Sequence, residues 1–130
     1  MIDTNTPSQT TRLAQLLTEM NQEGNFPLAV ITDRDGFPIA SVCSDGQDAD
    51  RQSAVVALVQ RTAQQVQDRM GMAATDEFSL YDKDGKRLVC RPFMASGHAL
   101  ILAVVVPDKD KPYRRLTTRT VNAIRNLWKE

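Results

Sequence analysis

Eight consecutive apolar residues, Ala99-Leu100-Ile101-Leu102-Ala103-Val104-Val105-Val106, set the strongest limit on what this chain can fold into. The run is far shorter than the roughly 20 residues a membrane-spanning helix needs, and it offers no polar position to face water. A strand rich in Val, Ile and Leu with no alternation belongs in the middle of a sheet, covered on both faces. The chain must therefore provide helices for both sides of one sheet. Its 130 residues are the length of one domain, and folding at that size hides roughly two-thirds of the unfolded surface.

The flanking patterns supply the other elements. Thr6-Pro7-Ser8-Gln9 offers a capping box with proline in the first helical position, and Leu13, Leu16, Leu17 and Met20 follow at helical spacing until Gly24 stops the helix. Strands are expected over 26–32 and 37–43, joined by Asp33-Arg34-Asp35-Gly36, which has the chemistry of a tight hairpin turn. Pro38 lacks an N–H for a ladder and places the second strand at an edge. Strands over 77–81 and 86–93 are joined by a second turn of the same form, Asp82-Lys83-Asp84-Gly85. Phe78 and Leu80 alternate with Glu77, Ser79 and Tyr81, as on a strand with one open face. The fifth strand covers 98–106. A last helix starts at Asp110 with Pro112 just inside and buries Tyr113, Leu116, Thr120, Ala123, Ile124 and Leu127.

Between the two hairpins runs a long helix, about 48–70, ending at Gly71. Val55, Val59, Ala63, Val66 and Met70 read as its core stripe, with Ala54 and Leu58 widening it on one side and Val56 on the other. The apolar arc spans roughly 200°, against a usual arc nearer 100°. Such a helix needs a second covering surface. The order is α-β-β-α-β-β-β-α: an α/β sandwich of the α+β kind, with residues 1–7 as a flexible N-terminus and 8–130 as one domain.

Sixteen basic and sixteen acidic residues cancel, so no bulk attraction for nucleic acid exists. The distribution is uneven: residues 1–50 carry eight acids and two bases, residues 109–130 seven bases and two acids. A polar N-terminus and the lack of any long apolar run predict a cytoplasmic protein without membrane insertion. Cys43 and Cys90 stand apart inside strand-like stretches and read as buried, reduced thiols.

The segment Leu28-Ala29-Val30-Ile31-Thr32-Asp33-Arg34-Asp35-Gly36-Phe37-Pro38-Ile39-Ala40-Ser41, the Ala- and Val-rich middle helix, the Arg87-Leu88-Val89-Cys90-Arg91-Pro92 strand and the apolar fifth strand, in this order, resemble the roadblock/dynein light chain family, whose bacterial members accompany Ras-like GTPases. The resemblance covers residues 8 to about 128. It implies a five-stranded antiparallel sheet of order 2-1-5-4-3, with the middle helix on one face and the terminal helices on the other. It also implies a homodimer formed through the third strands and middle helices, and a non-enzymatic protein-binding module that regulates or scaffolds a small Ras-like GTPase. The expected interface is Arg51, Ala54, Leu58, Arg61, Gln65, Phe78 and Leu80.

Other chemistry is weakly represented. Setting Gly36 or Gly85 at position six of a calcium loop puts Ile31 or Leu80 at position one and Val42 or Arg91 at position twelve, where carboxylates are required, so no metal is expected. His98 is the only histidine, which excludes a histidine zinc cluster and leaves no triad to assemble. No phosphate-binding glycine loop occurs, and no catalytic residue or cofactor is expected. Arg51, Arg61 and Gln65 border the wide arc, and an arginine there acting on a GTPase is a minor reading. On the last helix Arg114, Arg115, Arg119 and Arg125 oppose the apolar side. They form either a solvated face or a docking surface for an acidic protein patch; no aromatic is interleaved for nucleic-acid stacking. The competing functional class is a small-molecule sensor on a PAS- or GAF-like sandwich, for which core elements offer few polar residues.

Overall fold

Ser8 opens the first helix by accepting from the Thr11 N–H at 3.1 Å, a cap that satisfies one of the donors a helix start leaves unpaired. The computed structural model describes residues 8–43 and 49–128; the Thr6-Pro7 part of the expected cap and the segment 1–7, expected to be flexible, lie outside them. Helix α1 (Gln9–Gly24) buries Leu13, Leu17 and Met20. Its stop is not Gly24 itself. Asn25 takes the left-handed conformation at φ 58°, and the Phe26 N–H closes back on the Asn21 carbonyl at 2.9 Å in a Schellman arrangement. Phe26 is consequently part of the cap and not of the first strand.

Gly24 is required for a different reason. A Cβ there would stand 2.4 Å from the Phe26 ring, which is 5% exposed and packed in the core. We expect Gly24→Ala to destabilise the protein by about 1–3 kcal/mol, although alanine is the better helix former. Chemical denaturation measures this, and a stabilised variant would contradict the close packing.

Strands β1 (Leu28–Asp33), β2 (Pro38–Cys43), β3 (Phe78–Tyr81), β4 (Arg87–Ala95) and β5 (His98–Val106) form one antiparallel sheet of order β2-β1-β5-β4-β3. The apolar run β5 is central, as its composition requires. Both Asp-x-Asp-Gly segments are hairpin turns built alike. Asp33 Oδ1 accepts from the N–H groups of Asp35 (2.9 Å) and Phe37 (3.0 Å). Asp82 Oδ1 does the same with Asp84 and Lys86, both at 2.9 Å. Gly36 and Gly85 sit at φ 93° and 90°, a conformation that favours glycine. The first aspartate is thus an acceptor for its own turn. A third turn goes beyond the sequence expectation: Ser96 and Gly97, both at positive φ, join Ala95 to His98 in a two-residue hairpin and carry β4 two residues past its expected end.

Helix α3 spans Arg114–Trp128, four residues later than expected. Asp108 turns the chain by accepting from the Asp110 N–H at 3.1 Å, and Pro112 keeps Lys111 out of the helical region. Leu13, Leu17 and Met20 of α1 and Val121 and Ile124 of α3 cover one sheet face, over Ala29, Ile31, Val89, Phe93, Leu100, Leu102, Val104 and Val106. Arg119 of α3 reaches Glu23 of α1 at 2.6 Å, where the basic C-terminal and acidic N-terminal parts of the chain meet.

Helix α2 (Ala49–Met70) covers the other face. It ends as α1 does, with Gly71 at φ 67° and the Met72 N–H on the Gln67 carbonyl at 2.9 Å. Its orientation corrects the sequence reading. Ser53, Val56, Ala57 and Ala63 are buried, whereas Val55, Val66 and Met70, expected beneath the helix, are exposed. The helix is rotated by roughly a quarter turn from the valine stripe. Small side chains explain the choice: the position of a Cβ on Gly36 lies 3.1 Å from Ala57 Cβ, so the first hairpin packs directly against this side of α2, where a valine would not fit.

Candidate protein interface

The rotation leaves one flank of α2 apolar and uncovered. Val55, Leu58, Val66 and Met70 are 47%, 57%, 45% and 72% exposed. Beside them, α2 leaves part of the sheet face open where β1, β5 and β4 run side by side. Leu28, Leu88 and Val105 with Val55 and Val56 line an open trough of about 440 Å3, with Arg51 and Lys86 also on its walls. Leu80, opposite Leu88 on the neighbouring strand, is half exposed at the sheet margin, and Phe78 packs inward against the buried cluster of this face. The buried cluster on this face is small, with Val56, Cys90, Ile101 and Ala103 at its centre.

Of the expected interface residues, Arg51, Ala54, Leu58, Arg61, Gln65 and Leu80 are exposed and Phe78 is half-buried. Of these, Arg51 lines the trough, Leu80 stands opposite Leu88 at the sheet margin, and Leu58 lies on α2 between the trough side and the upper side. Ala54, Arg61 and Gln65 lie roughly 100° round the helix from Val55 and Val66, on its upper side. Val55, Val66 and Met70 escape the sequence reading because apolar residues at helical spacing are assigned to the core; the signal that could have found them is the small-residue set Ser53, Ala57 and Ala63, which marks the side that approaches closely.

The two sheet edges differ. On β2, Pro38 has no N–H, the register with β1 shifts between Ile31 and Thr32, and Asn21 of α1 donates to the Val42 carbonyl at 3.3 Å. These are the devices that blunt an edge. Strand β3 has no proline, no register shift with β4 and a short uncharged sequence, Phe-Ser-Leu-Tyr.

The underside of β3 is fixed by an ionic cluster. Glu77 accepts from Tyr113 Oη and Arg114 Nη1, each at 2.7 Å, and from Ser79 Oγ at 3.1 Å. Arg114 also binds Asp76. Arg91, 8% exposed, donates to Thr117 and Thr118 at 3.1 and 2.6 Å, and burial lowers its pKa. Arg87 lies between the Tyr81 and Tyr113 rings, 4.1 and 4.8 Å from their centroids. The hydrogen bond from Arg114 holds Asp76 below its usual carboxylate value. Burial pushes Glu77 up, but the donors Tyr113, Arg114 and Ser79 outweigh it and hold Glu77 below 4.5. Folded pKa values below unfolded ones mean stability that is present above about pH 4.5 and is lost as pH falls through the folded values. The stability difference between wild type and Glu77→Gln should therefore be full at neutral pH and shrink on acidification; a difference independent of pH would refute the ionic role.

The basic face of α3 is largely engaged within the chain. Arg114 is held by Asp76 and Glu77 and Arg119 by Glu23. Arg125 donates to the Met94 carbonyl at 3.1 Å and lies 5.7 Å from the Phe93 ring centroid. Arg115 is exposed. His98 packs edge-on against Trp128, centroids 6.0 Å apart. Burial pushes the Cys90 thiol up to about 12, which leaves it unreactive, while Cys43 is only half-buried; both are free thiols. Under the C-terminal half of α2, Gln60, Gln64 and Gln67 turn toward the sheet and line a cleft of about 230 Å3 with Arg34, Pro92 and Ile101. These are polar groups the sequence reading does not place there. Among the described residues no group of three or more His, Cys, Asp and Glu is arranged to hold a metal, and no helix is long and apolar enough to cross a membrane.

The family model described as Roadblock/LC7 domain matches residues 12–105. The chain belongs to this family. Roadblock/LC7 domains are a family of small-GTPase regulators and generally non-catalytic binding modules. The fold is similar to solved structures over nearly the whole chain. The gliding protein MglB from Thermus thermophilus superposes with a TM-score of 0.78 at 19% identity, covering 95% of this chain and 93% of that one. An MglB with a tetrameric arrangement gives 0.77 at 21% identity, with the same coverage. Myxococcus xanthus MglB gives 0.72 at 11% identity, covering 92% and 94%. Among curated proteins none matches by sequence. The roadblock assignment and the sheet order expected from the resemblance both hold.

Proposed function

We propose that this roadblock domain is a homodimeric, non-enzymatic regulator or scaffold for a small Ras-like GTPase, and that it self-associates through α2 and β3. The observation that carries the reading is the exposed apolar flank of α2, Val55, Leu58, Val66 and Met70, beside the unroofed trough. A contiguous apolar surface of this kind marks an interaction site. A second copy of α2 suits it in charge as well as shape. Antiparallel helices centred between Val59 and Gln60 set Asp50 against Arg69 and Arg51 against Asp68, and each acid then lies near a base of the other helix. The contrast between a blunted β2 and an unguarded β3 selects the same side of the molecule. Family membership supports the GTPase as partner, and the exposed upper side of the paired helices, with Arg61 and Gln65, is the surface proposed to receive it.

Two measurements test this. Light scattering should give a dimer at micromolar concentration; a monomer at high micromolar concentration would refute self-association. Affinity purification of the tagged protein from its native cells should recover a Ras-like GTPase, with recovery dependent on added GTP or GDP. Wild-type levels of recovery with a variant carrying Arg61→Glu and Gln65→Glu would refute the placement of that partner.

A further inference from the structure

We infer that the first turn of α3 is a strut that holds β3 in position as a pairing edge, so that the Glu77–Tyr113–Arg114 contact and self-association are coupled. This rests on the homodimer reading above.

Strand β3 has only four residues and is bonded to the sheet along one side, by β4. An edge hairpin of this length is marginal on its own. Its upper face is held at one point only, where Phe78 packs on the small cluster, since Leu80 is half exposed. The restraint comes from below. Glu77, immediately before the strand, is gripped by Tyr113 and Arg114. Ser79, within it, donates to the same carboxylate. Tyr81, at its end, stacks on Arg87, which stacks on Tyr113. Both ends of β3 therefore refer their position to residues 113 and 114. Asp76 adds a second carboxylate to Arg114, which anchors the connection from α2 to the same turn.

A strand that must present its free edge to a partner loses less entropy on pairing if it is already held. Removing the strut leaves the sheet core in place but makes pairing pay for ordering β3. Linkage also requires the converse: pairing of β3 must stabilise the first turn of α3 by the same factor.

The experiment compares wild type with Glu77→Ala, Arg114→Ala and the double variant by sedimentation equilibrium and by amide hydrogen exchange. We expect each single variant to weaken dimerisation by about tenfold and the double variant by clearly less than the product of the two, because both remove the shared Glu77–Arg114 contact. In samples diluted to monomer, exchange at 78–81 should quicken in the variants while the β5 amides keep wild-type rates. In wild type, exchange at 114–118 should slow on dimerisation. Unchanged dimer affinity in the variants with wild type dimeric overturns the strut and leaves the homodimer standing. So does a loss that merely follows global unfolding. A wild type that never dimerises overturns the homodimer reading and this coupling with it, whereas wild-type exchange at 78–81 in the variants speaks against the strut alone.

Discussion

Leu58→Arg is expected to raise the dimer dissociation constant by about 100-fold or more while leaving the monomer folded. In the proposed dimer the two-fold axis brings each substitution in twice, and a charge buried at an apolar contact without a partner costs several kcal/mol; about 2.7 kcal/mol is already a factor of 100. The same substitution touches little in the monomer. Leu58 is 57% exposed, and changes at such positions usually fall within about 0.5 kcal/mol. Sedimentation and thermal unfolding at dilution separate these effects. Retention of wild-type dimer affinity would remove the α2 flank from the interface, and a large loss of monomer stability would show that Leu58 has a core role the fold does not give it. Val55→Arg should behave alike, although the valine pattern of the sequence assigns it to the core.

The second large effect is on stability. Arg91→Ala should cost about 3 kcal/mol, which for a domain of this size lowers the melting temperature by roughly 10 °C. The arginine crosses from β4 to α3, with its guanidinium on Thr117 and Thr118 and its stem between the sheet and the helix. Alanine leaves both a void and polar partners that lose a donor. Arg91→Met keeps the stem and removes the desolvation cost of the buried charge, which offsets the lost hydrogen bonds to the threonine hydroxyls. It should stay within about 1 kcal/mol of wild type. Equal losses in the two variants would mean that the hydrogen bonds to the threonines carry the effect and that filling the space does not.

Legibility in the sequence tracks how local the deciding physics is. The Asp-x-Asp-Gly turns are short-range devices, in which one aspartate satisfies two backbone N–H groups and one glycine takes a positive φ. Both are readable from four residues, and the central position of β5 is readable from its composition. The reading fails where a partner remote in sequence decides the outcome. The rotation of α2 depends on Gly36 approaching Ala57, a contact that helical periodicity cannot see. The late start of α3 follows from Asp108 and from proline acting on the residue before it, both local signals that a capping pattern at Asp110 masks. The cluster of Asp76, Glu77, Arg91 and Arg114 has no sequence signature, since its members stand up to 38 residues apart. Arg114 stands out in the sequence only as part of a basic face.

The unequal treatment of the two sheet margins has a consequence for how far assembly can proceed. With Pro38, the register shift and Asn21 sealing one margin, the proposed strand addition is left a single end. Two copies that join there consume it mutually, and the ten strands so formed terminate at both extremities in blunted β2. Growth by this route stops at a closed pair instead of running on into a fibre.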